Sequence, residues 1–240
     1  MSQTADELQL NVVNSSFMLK VFYVFAALAL LSAGLSVAGK WLGASIAMAG
    51  HTDDVSIREV VIGNNVITAP ANAIRFERQR HNGVASRLDL YLRYPQMDGY
   101  SREAAADFNK ADGGGNIVFV SFEPRMMSRD MSGRFEPIYR SLIVEPATPG
   151  PAGLADYRFD EKSGYLNESL LVGRQPNRDN PYVVRCLTGI GAAESLAPCE
   201  RDIQIGDELS LSYRFSRELL PDWQRLDAAV MEKAAQMLRQ

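Results

Sequence analysis

One uncharged apolar run near the N terminus constrains this chain more than any other feature. The 19 residues 21–39 contain no charged side chain, and 15 of them are hydrophobic. A helix of that length covers about 28 Å, close to the ~30 Å hydrocarbon core of a bilayer. Lys20 and Lys40 bracket the run, and Trp41 follows where interfacial aromatic residues are common. The pattern predicts a transmembrane helix over residues 21–42 that contacts the lipid bilayer.

A cleaved signal peptide is the alternative interpretation of this segment. Ala47-Met48-Ala49 has the small-x-small form of a cleavage site. The apolar run is longer than the roughly 7–15 residues of a usual signal sequence, however, and the site lies well beyond its end. These features favour a permanent anchor, although cleavage after Ala49 stays open.

Membrane orientation is not decided by the flanking charge, because one lysine stands on each side of the run. A short inner tail with a large exported domain is the commoner arrangement for one N-terminal anchor. We therefore expect a cytoplasmic tail over residues 1–20, a juxtamembrane connector over 43–54 and an exported domain after it.

The exported part is predicted to be mainly β with short α segments. Residues 55–62 are rich in β-branched side chains, and residues 88–94 alternate apolar and polar, which is typical of a half-buried strand. Residues 117–122 are continuously apolar, which favours a strand buried on both faces. Residues 138–144 form another strand candidate. The prolines and glycines of residues 146–153 predict a long surface loop or a domain boundary.

Five further short strands are predicted between residues 154 and 215, joined by short turns as in an antiparallel meander. Their expected ranges are 154–159, 165–172, 181–188, 200–205 and 209–215. The fold class predicted for residues 55–216 is an antiparallel, sandwich-like β domain. An amphipathic helix over residues 217–240 is expected to follow, with an apolar stripe that faces the core or, alternatively, a partner. That stripe comprises Trp223, Leu226, Val230 and Met237.

Cys186 and Cys199 are the only cysteines, and they lie at the ends of two consecutive predicted strands. A hairpin would bring them together, and a pair in an exported domain is expected to oxidise. Their spacing is not C-x-x-C, and a zinc site would need two further ligands where the chain has only His51 and His81. We therefore predict a structural disulfide. Arginine outnumbers lysine 20 to 5, which fits a GC-rich bacterial coding sequence and a periplasmic domain.

Composition excludes some functions but selects none. The net charge of −4 and the sequence pI of about 5.3 argue against a nucleic-acid partner. The chain has no G-x-S-x-G, S-x-x-K or H-E-x-x-H motif and no P-loop. No catalytic residue is therefore assigned, and no cofactor or metal is expected.

The segment 125–134 is the leading candidate for ligand or partner binding. It follows the strongest predicted buried strand, and loops at strand ends often carry sites. Arg125, Arg129, Asp130 and Arg134 could hold a carboxylate or phosphate. Three methionines in the same segment fit an adaptable contact surface. A turning loop with core methionines and ordinary ion pairs is the alternative.

Two further polar clusters are weaker candidates. His51, Asp53 and Asp54 could contribute to a metal site, but residues just after a membrane connector are ordinarily solvated. A second, basic cluster is expected on a strand, where it would either bind an anionic group or form a solvated, ion-paired face. Its members are Arg75, Arg78, Arg80 and His81.

The sequence therefore predicts a single-pass bacterial inner-membrane protein with its C-terminal domain in the periplasm. The leading function is an accessory, scaffold or binding module without catalysis, which implies a protein partner in the envelope. One alternative is a cell-envelope hydrolase that acts on glycan or lipid through paired carboxylates from distant strands. Another is a small subunit that contributes mainly its membrane helix to a complex.

Overall fold

The computed structural model describes residues 15–48, 50–109, 115–175 and 179–239. The chain divides into an N-terminal unit and a larger unit that begins at Gly50. The helices, in chain order, are α1 (Ser15–Met48), α2 (Ala105–Phe108), α3 (Gly189–Glu194) and α4 (Trp223–Met237).

The N-terminal unit is built on α1, a single apolar helix of 34 residues. Its segment Ser16–Ser36 has the length and the mean hydropathy, 2.0, of a helix that can cross a membrane. Described apolar side chains such as Phe25 and Leu30 are exposed. The helix extends past both ends of the predicted segment 21–42, because no proline interrupts residues 15–48.

The larger unit contains twelve strands among its described residues. In chain order they are β1 (Ile57–Ile62), β2 (Asn65–Pro70), β3 (Gly83–Val84), β4 (Leu88–Arg93), β5 (Ile117–Pro124), β6 (Ile143–Pro149), β7 (Ala155–Phe159), β8 (Glu168–Gly173), β9 (Tyr182–Leu187), β10 (Cys199–Ile205), β11 (Leu209–Phe215) and β12 (Leu238–Arg239).

These strands form one large and one small sheet. The large sheet has eight strands in the order β4-β5-β11-β10-β9-β8-β7-β6, and all its pairings are antiparallel. The small sheet has the order β12-β2-β1-β3. Strands β7 to β11 are neighbours both in sequence and in the sheet, so the predicted mainly β fold with an antiparallel meander is present.

The proline-rich segment 146–153 is not simply a surface loop. Strand β6 begins at Ile143, later than predicted, and runs to Pro149, while Tyr139–Ser141 is a 3₁₀ turn. β6 is the edge strand of the large sheet, and its register shifts between Val144 and Thr148. A proline lacks the N–H that a central strand must donate, so an edge with an irregular register is where a strand tolerates it.

Two burial predictions are wrong in opposite ways. β4 is buried on both faces instead of one, because Tyr91 packs against aromatic rings and Asp89 is hydrogen bonded. β5 was expected to be buried on both faces, yet Phe119 and Ser121 on one face stay partly exposed. The apolar run misled because Phe119 contacts an arginine instead of the core. Strands β2 and β12 were not predicted.

The main core lies between one face of the large sheet, here called the inner face, and a second layer. That layer consists of the small sheet and α4, so it is less than the second full sheet of a sandwich. Trp223 and Leu226 of α4 and Ile62 and Ile67 of the small sheet are buried in this core. Their burial is the main apolar contribution to the stability of the unit.

A buried ion pair joins α4 to the large sheet. Arg201 of β10 is 1% exposed, and its Nε donates to Oδ1 of Asp227 over 3.0 Å. Its Nη1 donates to Oγ of Ser132 and to the carbonyl of Val183, both over 2.9 Å. The Tyr213 hydroxyl donates to the same Asp227 oxygen over 2.8 Å. The buried charge is therefore paired and hydrogen bonded, as burial of a charge requires.

Candidate binding groove

The side of the large sheet away from the main core, here called the outer face, is polar over four of its strands. Side chains alternate between the two faces of a strand. On β11, Leu211 and Tyr213 point into the core while Ser212 and Arg214 belong to the outer face. The same alternation continues through β5 and β10, and it sets the composition of the exposed surface.

The chain itself covers the other part of the outer face. Met131, Phe135 and Tyr139 form a second, smaller core with Leu170 of β8 and Val183 of β9. This covering segment follows β5 and returns over the strands at the far end of the sheet. The outer face is consequently closed around Leu170 of β8 and Val183 of β9 and open over β5, β11 and β10, with Asp89 of β4 and Arg185 of β9 at the margins of the opening.

The open part forms a groove with a volume of about 380 Å³. Its floor contains short or uncharged polar side chains on neighbouring strands: Ser121, Ser210, Ser212 and Gln204. Arginines surround this floor, together with four acidic residues. The charged lining residues are Arg75, Arg87, Arg125, Arg134, Arg185, Arg214, Asp89, Glu123, Glu200 and Asp202.

Arg87 is held in place by a dense set of hydrogen bonds at one end of the groove. It donates to Asp89 over 2.8 Å, to Glu123 over 3.0 Å and to Ser121 over 2.8 Å. Burial alone would raise the pKa of Asp89, but hydrogen bonds from Ser121 and Arg87 outweigh it, so this pKa is lowered. Asp89 is therefore held as a carboxylate.

Asp202 lies at the opposite side of the floor and pairs with Arg134. Burial raises the pKa of the Asp202 carboxyl, and the attraction of Arg134 offsets only part of that rise. Asp89 and Asp202 thus share one face of the sheet with pKa values shifted in opposite directions. In acid–base catalysts, too, the environments of two carboxyl groups shift their pKa values apart.

Three groove arginines differ from these, because ion pairs or aromatic contacts hold them in place of side-chain hydrogen bonds. Within the described part of the chain, the side chains of Arg75, Arg185 and Arg214 donate no hydrogen bond. Arg185 lies 3.3 Å from Glu168 and 3.6 Å from Glu200, and Arg214 lies 3.7 Å from Glu200. Arg75 instead lies over the ring of Phe119, 4.7 Å from its centroid.

The predicted binding segment contributes two of its four named residues to the groove. Arg125 and Arg134 line it, and each pairs with an acid, Glu208 and Asp202 respectively. Arg129 is exposed outside the lining, and Asp130 accepts a hydrogen bond from the backbone N–H of Gly133 over 2.8 Å. The four residues therefore do not converge on one ligand position.

The methionines of this segment have two different roles. Met126 and Met127 are exposed, at 87% and 51%, and both line the groove. Met131 is completely buried in the second core. The segment thus provides an apolar rim to a polar groove and anchors itself on the sheet.

The two weaker clusters are dispersed in the structure. His51 stacks on Tyr100 and contacts the Tyr91 hydroxyl over 3.0 Å, and burial lowers its pKa. Asp53 pairs with Arg102 and Asp54 with Arg58. Among the described residues, no group of three potential ligands could hold a metal ion.

The basic cluster does not lie on a strand, since Glu77–Gln79 is a 3₁₀ turn. Arg80 donates to the backbone carbonyls of Ile74 and Gly50, and Arg78 lies over the ring of Phe76. These bonds turn the chain away from the extended geometry that the prediction assumed. Arg75 alone reaches the groove from this cluster.

Cys186 and Cys199 form a disulfide, as predicted. They are a directly opposite pair on β9 and β10, and both side chains are fully buried. The bridge closes a loop that contains α3. It fixes the contact between the two strands next to Arg185 and Glu200, which pair in the adjacent register position.

Most groove residues were missed because they are scattered through the sequence. The floor comes from three strands, β5, β10 and β11, whose floor residues are up to about ninety positions apart, and no local motif joins them. The alternation along β11 separates the side chains that face the core from those that face away from it. The sequence could not indicate which other strands lie beside them.

No protein-family model and no curated protein sequence matches the chain. Its fold is similar to that of an immunity protein of the Stenotrophomonas maltophilia type IV secretion system, with a TM-score of 0.51 and 16% identity. That likeness covers 78% of this chain and 94% of the other. The Neisseria meningitidis iron-regulated outer membrane lipoprotein FrpD gives a TM-score of 0.41 and 9% identity, over 77% and 95% of the two chains. At 16% identity the first likeness concerns the fold alone.

Proposed function

We propose that the protein is a membrane-anchored binding module without catalysis of its own, and that a protein partner binds in the groove. The observation that carries the proposal is the uncovered half of the outer face. The chain covers the apolar half with its own segment and leaves a polar, arginine-rimmed concavity open. Concave surfaces with a few convergent polar groups are where ligands bind.

The charge pattern of the groove supports binding over catalysis. Every acid in its lining lies within 4 Å of an arginine: Asp89 and Glu123 of Arg87, Asp202 of Arg134, and Glu200 of Arg185 and Arg214. A carboxylate that acts as a base or nucleophile must instead be free to reach substrate. Charges of both signs on one surface can instead complement opposite charges on a protein partner and so give specificity.

The proposed location is a bacterial inner membrane, with residues 1–20 in the cytoplasm and the β-rich unit in the periplasm. The length and hydropathy of α1 support the anchor. The disulfide supports export, because such bonds persist in oxidising compartments. The fold shared with an immunity protein of a secretion system fits this setting, although one fold hosts many functions.

Site-specific photo-crosslinking in cells tests the proposal. A photoreactive phenylalanine analogue replaces Met126 at the rim or Ser210 on the floor, and the matched control carries it at Gln224, which is exposed on α4. We expect one protein adduct from both groove positions and none from the control. An adduct from the control position Gln224 alone, or no adduct at any position, contradicts the proposal.

A hydrolase acting on glycan or lipid is the second candidate, and the raised pKa of Asp202 favours it. A test is incubation of the full chain with purified peptidoglycan or phospholipid, followed by chromatography of released products. If products form and Asp202→Asn abolishes them while the fold is unchanged, the hydrolase replaces the binding module. We expect no product, because the Asp202 carboxylate forms an ion pair with Arg134.

A further inference from the structure

We infer that the groove binds an acidic protein surface, whose carboxylates pair with Arg75, Arg185 and Arg214. This inference rests on the proposed function and names the chemistry of the partner. These three arginines are the groove cations whose side chains donate no hydrogen bond within the described part of the chain. A guanidinium presents its donors in a planar fork that matches a carboxylate.

The three arginines lie along one row of the sheet. Phe119 is directly opposite Arg214 on β5 and β11, Arg214 is opposite Glu200 on β10, and Glu200 is opposite Arg185 on β9. Arg75 lies over Phe119 and so extends the row. Since neighbouring strands are about 4.8 Å apart, the row spans roughly 14 Å. That is long enough for two or three separate carboxylates.

Aromatic contacts help to hold two of these guanidinium groups in position, and Arg185 is also ion-paired with Glu168 and Glu200. Arg75 lies 4.7 Å from the centroid of Phe119 and 5.0 Å from that of Phe76. Arg185 lies 5.1 Å from the centroid of Tyr165, and its buried Nε has no hydrogen-bond partner. A guanidinium over an aromatic face keeps its edge available for an anion. Arg87, in contrast, already donates to three acceptors.

The lining favours a protein over a continuous polyanion such as a phosphate polymer. Glu200 stands between Arg214 and Arg185, so a uniformly charged strand across the row would meet a like charge at its middle. Separate carboxylates on a protein surface can avoid that position. Met126 and Met127 add an exposed apolar rim, which a protein partner can cover with its own apolar side chains.

A binding measurement on the full chain in nonionic detergent tests this chemistry. The probe is a fluorescein-labelled peptide of about twelve residues with alternating glutamate and threonine, which places its carboxylates on one side of an extended chain. The matched control replaces each glutamate with lysine. Fluorescence anisotropy is expected to show saturable binding of the acidic peptide that weakens with salt, and no binding of the basic one.

Two triple variants of equal net charge make the test specific. Arg75, Arg185 and Arg214 are changed to glutamine in the groove variant, and Arg102, Arg140 and Arg225, which are exposed and do not line the groove, in the control. We expect the groove variant to bind the acidic peptide at least roughly tenfold more weakly than wild type, and the control variant to bind as wild type does. Equal loss in both variants, no binding by wild type, or tighter binding of inorganic polyphosphate overturns the inference.

Crosslinking of the same variants in cells distinguishes failure of this inference from failure of the proposed function. If the groove variant still yields the cellular adduct at Ser210 in full amount, a partner binds the groove without these arginines, and only the inference fails. If wild type yields no adduct at Ser210 or Met126, the proposed function itself fails. Loss of the adduct in the groove variant but not in the control variant supports both.

Discussion

The two faces of the large sheet are made by alternate residues of the same strands, yet they differ in how far their side chains are buried. On the inner face, Leu209, Leu211 and Tyr213 of β11 are fully buried under the second layer. On the outer face, Ser210 and Ser212 of the same strand are partly exposed. Around β11 the core therefore covers one face of the sheet and leaves the other in contact with solvent.

Arginines show the same contrast in another form. On the inner side, Arg201 is buried and its donors reach Asp227, Ser132 and Val183. On the outer face, Arg214 is half-exposed and donates no hydrogen bond within the described residues. Its ion pair with Glu200 is open to water and therefore holds it only weakly. The first arginine therefore serves the fold, and the second is free to serve recognition.

The largest expected effect comes from breaking the buried ion pair. Asp227→Ala leaves the Arg201 charge without its carboxylate in the interior, which typically costs about 3–5 kcal/mol. The free energy of unfolding of the full chain in mild detergent, followed by tryptophan fluorescence in denaturant, measures this loss.

A surface ion pair provides the control for that variant. Arg217 donates to Asp156 over 3.2 Å, and its side chain is 41% exposed. Arg217→Gln is expected to cost no more than about 1 kcal/mol. A loss for Asp227→Ala as small as this would mean that α4 is not fixed to the sheet by its buried charge.

The next prediction compares adjacent residues of β11 directly. Leu211→Ala removes a fully buried side chain from the main core and is expected to cost about 2–4 kcal/mol. Ser212→Ala, one residue along on the outer face, is expected to change stability by no more than about 0.5 kcal/mol. The same unfolding measurement checks both. Equal losses would show that the outer face is covered in solution and that the groove is closed.

The strands with clear alternation were the most predictable part of the fold. Residues 209–215 were predicted with the bounds that β11 has. On β11 the alternation reflects one covered and one open face, whereas β4, with the same alternation, is covered on both. β6 was misplaced because its prolines resemble a loop, and only its edge position in the sheet makes them acceptable.

The candidate site was less predictable than the fold. The segment 125–134 begins directly after β5, and only Arg125 and Arg134 of its four named residues line the groove. Arg185 and Arg214 are separated by 29 positions in sequence, and two strand pairings bring them to either side of Glu200. Such pairings depend on the order of strands in the sheet, which one sequence does not contain.

The smallest of the three effects concerns how the outer face responds to pH. The folded-state pKa of Asp89 is lowered, so its stabilisation is present above the unfolded-state value of about 3.9 and is lost as pH falls through the folded-state pKa. The folded-state pKa of Asp202 is raised, so the folded state keeps that proton up to a higher pH than the unfolded state does. Stability from Asp202 is therefore present in acid and lost as pH rises through its folded-state pKa.

Asparagine variants should distinguish the contributions of Asp89 and Asp202 to the pH dependence of stability. Relative to wild type, Asp89→Asn is expected to become less stable as pH rises from 3 toward 7, since asparagine cannot gain the favourable charge. Asp202→Asn is expected to change in the opposite direction, because asparagine avoids the cost of a charge in a partly buried position. Unfolding measurements across this range, with carboxyl NMR titration of wild type, test both. Parallel slopes for the two variants would show that the two ends of the groove have the same electrostatic environment, and the contrast within the outer face would then be wrong.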